Sequence, residues 1–277
     1  MKEQFKKVNS AKTFSLILRV VTAICVCAVL LQAQTDRIAV RKNDQTAQNI
    51  ANATLKALGG ADKIDAVKSL IVKGTRTSTT TGSPVRDDGT RISEFEIRVL
   101  WPDDYIMITR SPDRIGASGV SQGKILSNTS NATLSDIRRE LMLMRESLAT
   151  GHMLIGALMK SGVRQMTLSS MGSGVFYLNM DAGIFNGFDT FDSEIQFDSK
   201  TGYPSVIKYN EPSDLAGGIM EYRFGSDRFS VDGIMFPRVI NSHRVTIIDG
   251  MISTSEMRIE EVIINPKLSL KDFERPE

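Results

Sequence analysis

The chain of 277 residues is poor in the residue types that build most chemical sites. Its two cysteines, Cys25 and Cys27, both lie in an apolar stretch near the N-terminus. If that stretch is cleaved away no thiol remains, which excludes disulfides and any Cys-ligated metal. The two histidines, His152 and His243, stand far apart, and there is neither a His-Glu-x-x-His run nor an acidic loop with Ca2+-binding spacing. A lone His is more often a polar surface or core residue than a ligand, so no metal and no cofactor are expected. The glycines form no dinucleotide or P-loop fingerprint. Surplus positive charge is also missing where it would count. The net charge is +2, but residues 1–33 carry Lys2, Lys6, Lys7, Lys12 and Arg19 against Glu3 alone, so this stretch holds +4 and the rest −2. A body close to neutral lacks the basic surface that drives nucleic-acid binding, and no nucleic-acid partner is expected.

What is present begins with that N-terminal stretch. A positive segment from Lys2 to Arg19 precedes an apolar run from Val20 to Leu31, and Leu31-Gln32-Ala33 then offers a small residue before Gln34. This is the order of a secretory signal peptide, and cleavage near Ala33 is expected. The run is short for a membrane span, which needs about 20 residues. The alternative is an uncleaved anchor in which Phe14 to Leu18 lengthen the span.

One literal motif invites a catalytic reading. Gly119-Val120-Ser121-Gln122-Gly123 fits G-x-S-x-G, with His243 downstream and acids between them. A nucleophile elbow needs a buried parallel strand before the serine and a helix after it. Here Lys124-Ile125-Leu126-Ser127 reads as another short strand after a tight turn, so neither a hydrolase nor any other enzyme is expected.

The rest of the chain reads as a short helical opening followed by strands. Gln45 to Leu58 places Ile50, Thr54, Leu55 and Leu58 at helical spacing, Gly59-Gly60 ends it, and Ala61 to Lys68 forms a further helical stretch. From Leu70 the period changes to two. Phe95, Ile97 and Val99 alternate with Glu94, Glu96 and Arg98. Phe191, Ser193, Ile195 and Phe197 alternate with acids and Gln196. Met257, Ile259 and Ile263 lie opposite Glu256, Arg258 and Glu260. These patterns predict antiparallel strands with one apolar face. Asn186-Gly187, Asp232-Gly233 and Asp249-Gly250 sit where type I′ hairpin turns want them, and Asp198–Gly202 reads as a longer hairpin loop. Ten or more strands with little helix between them predict an antiparallel meander. One helix, Thr133 to Lys160 with a break near Gly151, interrupts it. Its apolar face includes Met144, Leu148, Met153 and Met159, read either as core packing or as the wall of a ligand cavity.

The order of these features resembles the LolA/LolB-like family of outer-membrane lipoprotein-sorting proteins, to which the envelope-stress sensor RseB is related. The resemblance runs over most of Gln45 to Pro276. It rests on the helix ending Leu58-Gly59-Gly60, the first strand Val67 to Gly74, and the strand break Trp101-Pro102-Asp103-Asp104-Tyr105. It continues through Gln122-Gly123-Lys124, Phe197 to Pro204, Val231 to Pro237, Ile264-Asn265-Pro266 and Phe273-Glu274-Arg275-Pro276. It implies a mainly β (α+β) fold in which a strongly curved antiparallel sheet forms an incomplete barrel covered by helices. Residues 34–277 would form this single domain after a signal peptide at 1–33. The implied cavity would be lined by Phe95, Ile97, Val99, Trp101, Met144, Leu148, Met153, Met159, Ile195 and Phe197. Trp101 stands where the prototype carrier has an Arg before the Pro.

Two functions follow as expectations. The first is a periplasmic carrier or chaperone for a lipid, for lipoprotein acyl chains or for another apolar ligand. The second is an envelope sensor or structural module that binds a protein partner, such as a membrane protein of the envelope.

Overall fold

The structure is a computed structural model. It describes residues 39–40, 44–82, 89–100, 104–121, 124–127, 166–172, 174–180, 191–211, 218–246, 250–274 and 276. The expected inserted helix at 133–160, the leader and the Asn186-Gly187 turn lie outside the described residues.

The chain opens with β1 (Ala39–Val40), α1 (Gln45–Ala57) and α2 (Ala61–Ala66). Asp44 caps α1, its Oδ1 accepting from the Ala47 N–H at 2.9 Å. The buried stripe of α1 is Ala47, Ala51, Thr54 and Leu55, continued by Leu58. Ile50, expected on that stripe, stands at its edge and is only partly buried. Small alanines let the helix lie close to what it covers. The end at Gly59-Gly60 holds: both have positive φ, 121° and 98°, which glycine adopts without penalty.

Then come β2 (Ser69–Thr81), β3 (Gly89–Leu100), β4 (Asp104–Ser111), β5 (Arg114–Ser121) and β6 (Lys124–Ser127). Next are β7 (Met166–Ser170), β8 (Val175–Met180), β9 (Phe191–Phe197), β10 (Pro204–Glu211) and β11 (Gly218–Phe224). The chain finishes with β12 (Arg228–Val231), β13 (Ile234–Pro237), β14 (Val239–Thr246), β15 (Ile252–Ile264) and a 3-10 turn at Leu270–Phe273. Among the described residues, thirteen strands form one sheet in the order β1-β7-β8-β9-β10-β11-β14-β15-β2-β3-β4-β5-β6, while β12 and β13 pair separately. All neighbours in the large sheet run antiparallel except β1 and β7. The end strands β1 and β6 do not pair with each other. The fold is thus mainly β, an open half-barrel.

The turns follow their sequences. Asp232 and Gly233 join β12 to β13 with φ of 52° and 77°, as a type I′ turn requires. In the β9–β10 loop, Asp198 Oδ1 accepts from the backbone N–H of Lys200 and Thr201, and Gly202 takes φ 76°. A Cβ on Gly202 would stand 3.0 Å from the Ala53 backbone, so this loop and α1 meet at a glycine.

One expected alternation fails. A β-bulge between Ile259 and Glu261 shifts the register of β15, so Val262 follows Met257 and Ile259 onto the buried face and Ile263 does not. Simple counting by two has no means of registering the inserted residue.

Among the described residues, α1 meets the sheet through β7 and the β9–β10 loop. The Oδ2 of Asp44 accepts from Ser170 N–H at 2.6 Å, at the end of β7. Thr54 Oγ1 donates to Gly202 O at 2.6 Å, and Met235 N–H donates to Leu58 O at 3.1 Å. Asn265 then ties the end of β15 to α2 and β2: its Nδ2 donates to Ala66 O at 3.1 Å and its N–H to Ser69 O at 2.9 Å.

Candidate functional site

The registers define which residues share a face. Leu70, Val72 and Gly74 on β2 pair with Val99, Ile97 and Phe95 on β3, and Val99 and Ile97 pair with Tyr105 and Met107 on β4. On the other side of β2, Gly74 and Val72 pair with Ile259 and Val262. The same face continues through Ile240 on β14 and Tyr222 on β11, through Ile207 on β10, to Ile195 on β9 and Phe176 on β8. We call this the inner face. Phe176 and Phe197 meet edge to face there, with centroids 5.3 Å apart.

Five of the residues expected to line a cavity are therefore on one face: Phe95, Ile97, Val99, Ile195 and Phe197. All five are buried, from 0% exposure at Ile97 to 9% at Phe197. Five strands separate β9 from β3 in the sheet order, so these residues come together as one continuous face and not as a cluster of neighbours. Trp101, Met144, Leu148, Met153 and Met159 lie outside the described residues.

The inner face changes character along the strands. After Leu70, Val72 and Gly74, the same side of β2 carries Arg76, Ser78 and Thr80. Ser78 pairs with Ser255 on β15, and Ser255 pairs with Ser242 on β14. The Ser242 and Ser255 hydroxyls lie 2.7 Å apart, and Ser255 is 6% exposed. Arg244 follows Ser242 on the same side of β14. Sequence reading missed this polar half. Its signal was available: the residues that alternate in phase with Leu70 and Val72 switch from aliphatic to Arg and Ser.

The outer face is built differently. Ile106, Ile108 and Ala117 form a second small core beneath Phe273, with Leu100 and Leu268 packed against it. Strand β4 is thus buried on both sides. Elsewhere the outer face holds a groove of about 380 Å3, lined in part by Thr77, Thr79, Thr254, His243, Glu221 and Glu256. Its acids stand beside Arg223 and Arg258, with Glu256 Oε1 2.8 Å from Arg258 Nε. Charges of both signs leave it no clear ligand preference.

The hydrolase arrangement is not assembled. Ser121 ends an antiparallel strand and pairs with Lys124 of the next strand, and its Oγ donates to Asp104 Oδ1 at 2.6 Å. His243 lies on β14, five strands away in the sheet order. Among the described residues there is no group of three or more His, Cys, Asp or Glu side chains placed to hold a metal, and no helix long and apolar enough to cross a membrane.

No protein-family model and no curated protein matches the chain. Solved structures do match. The structural neighbours are LolA-like. A LolA superfamily protein from Nitrosomonas europaea is 15% identical, with 82% of this chain and 97% of that chain covered and a TM-score of 0.44. An outer membrane lipoprotein-sorting protein domain from Vibrio parahaemolyticus is 12% identical, with 80% and 97% covered and a TM-score of 0.41. MucB of Pseudomonas aeruginosa, solved with MucA, is matched more weakly, at 10% identity and a TM-score of 0.22, with 79% and 100% covered.

Proposed function

We propose that this chain is an exported, non-catalytic carrier that shields an apolar or lipid-like ligand on the inner face of its half-barrel. The observation that supports the reading best is the inner face itself. Apolar side chains from β8 through β4 share one side of a sheet whose end strands β1 and β6 do not pair with each other, and among the described residues the N-terminal helices meet it near β7 and the β9–β10 loop. In a two-sheet sandwich a facing sheet would fill that space. A single open sheet leaves it to helices and ligand. The need for such a protein is physical: each acyl CH2 exposed to water costs about 0.8 kcal/mol, so acyl chains do not cross an aqueous compartment unshielded. The basic segment and apolar run at the N-terminus support export to the periplasm by a signal peptide.

The test is mass spectrometry of an organic extract from protein purified out of its native envelope, with intact mass measured on the same sample. A lipid present near one equivalent and a mass lacking about 33 leader residues are the expected results. Protein free of lipid, recovered as a stable stoichiometric complex with a membrane protein, would replace the carrier reading with that of an envelope sensor.

A further inference from the structure

We infer that the polar half of the inner face is a headgroup subsite for an anionic amphiphile, with Arg76 as its principal cation; this rests on the carrier reading. The first observation is a buried donor left unsatisfied. The Nε of Arg76 is buried and has no hydrogen-bond partner among the described residues. Buried donors are almost always paired, and a guanidinium is always charged, so this N–H calls for an acceptor oxygen.

The second observation is where Arg76 stands. It shares a cross-strand row with Ser93 on β3 and with Met257 on β15, whose own partner is Ile240 on β14. Met257 and Ile240 are almost fully buried. One row further from Val72 and Gly74 along the strands lie Ser78, Ser255 and Ser242, and Arg244 comes one row beyond them. The serine row is therefore flanked by one arginine on each side. The Ser242–Ser255 contact uses one hydroxyl proton of the two, which leaves the other available to an incoming acceptor.

The third observation is charge. On β2, β3, β14 and β15 the inner face carries Arg76, Arg91 and Arg244 and no Asp or Glu. Arg91 is exposed at the rim, which leaves Arg76, with its buried Nε, as the principal inward cation and Arg244 as a second one on the same face. Apolar residues border this patch on two sides: Val72 and Ile97 along the strands, and Tyr222, Ile207 and Ile195 along the serine row. A molecule matching this layout has an acyl chain beside the apolar half and a carboxylate or phosphate over the arginines, where a guanidinium gives a charge-assisted, two-pronged contact.

The experiment is a displacement titration of an environment-sensitive fluorescent lipid probe from delipidated full-length mature protein. The competitors are oleate, oleoyl lysophosphatidic acid, neutral monoolein and inorganic phosphate. Both anionic amphiphiles are expected to compete about tenfold more strongly than monoolein. Arg76→Gln should erase that preference without weakening monoolein, and Arg244→Gln should reduce it. Arg76→Lys, which keeps the charge but not the fork, should restore only part. Melting curves accompany each variant, and Arg244→Gln carries the test if Arg76→Gln does not fold. Equal competition by neutral and anionic lipids, or an unchanged preference in both Gln variants, would overturn the headgroup site and leave the carrier standing. Displacement by inorganic phosphate alone would overturn the amphiphile assignment. A probe that never binds the wild type would sink the carrier reading and this one together.

Discussion

At the scale of single residues, the molecule is held together by a few side chains that each serve two elements. Asp44 is the clearest. One carboxylate oxygen caps α1 and the other accepts the Ser170 amide of β7. Losing a cap alone costs about 0.5–2 kcal/mol, and here a strand amide would lose its acceptor as well. Asp44→Ala is therefore expected to lower stability by about 2 kcal/mol, and Asp44→Asn by clearly less, since its amide oxygen still serves one donor. Urea denaturation of the three proteins checks the order. Asn265 does comparable work elsewhere, where its backbone and side chain bind the end of β15 to the end of α2 and the start of β2. Neither role is visible in a list of residues. An Asp before a helix announces a cap, but nothing in the sequence says that its second oxygen reaches a strand 126 positions away. Gly74 is similar. A Cβ there would come within 1.8 Å of Arg258 O on the neighbouring strand β15.

At the scale of elements, strands and turns were legible and cover was not. Period-two alternation located β3, β9 and most of β15, because one face of each is buried and the other is wet. Asp232-Gly233 and Asp198–Gly202 announced their turns because both loops need positive φ. Strand β4 gave no such alternation, since Tyr105, Ile106, Met107 and Ile108 are all buried. Its second side is covered by the C-terminal 3-10 turn, a contact between residues 165 positions apart that no local pattern encodes. That turn is held by a capping box in which Asp272 Oδ2 accepts from the Ser269 N–H at 2.7 Å and from its hydroxyl at 2.9 Å. Arg98 adds a hydrogen bond to Asp272 O at 2.8 Å. Phe273 is 1% exposed, so Phe273→Ala should cost about 3–5 kcal/mol by urea denaturation. The Ser269 donors hold the Asp272 carboxyl below the ordinary 3.8. A lowered folded-state pKa means that this contribution is complete above the unfolded value and is lost as pH falls through the folded one. Asp272→Asn should therefore melt below the wild type at neutral pH, and the gap should close as the pH drops below about 4. A gap that stays constant down to acid pH would separate the cap from the carboxylate's charge.

At the scale of the whole molecule, the question is whether the inner face is a finished core or a surface that a ligand completes. Burial alone does not separate the two, because it shows that protein atoms enclose these side chains and not whether they leave room for a ligand. Within the face, however, residues differ. Ile97 is 0% exposed, at the middle of β3 with Val72 and Met107 beside it, while Val99 retains 8% near the strand end. Ile97 is enclosed under either reading, and Ile97→Ala is expected to cost about 2–4 kcal/mol. Val99 is the discriminating position. In a finished core, Val99→Trp overpacks and destabilises by about 1–3 kcal/mol, with no effect on a ligand that does not exist. Beside a ligand, the indole enters space that the ligand would otherwise occupy. The fold then survives with a melting temperature within a few degrees of the wild type, while a fluorescent lipid probe that binds the wild type binds the variant about tenfold more weakly or not at all. The carrier reading expects this second pattern. A melt and a probe titration on the same Val99→Trp preparation decide it, and a steep loss of melting temperature with no probe binding by the wild type would make the inner face an ordinary core.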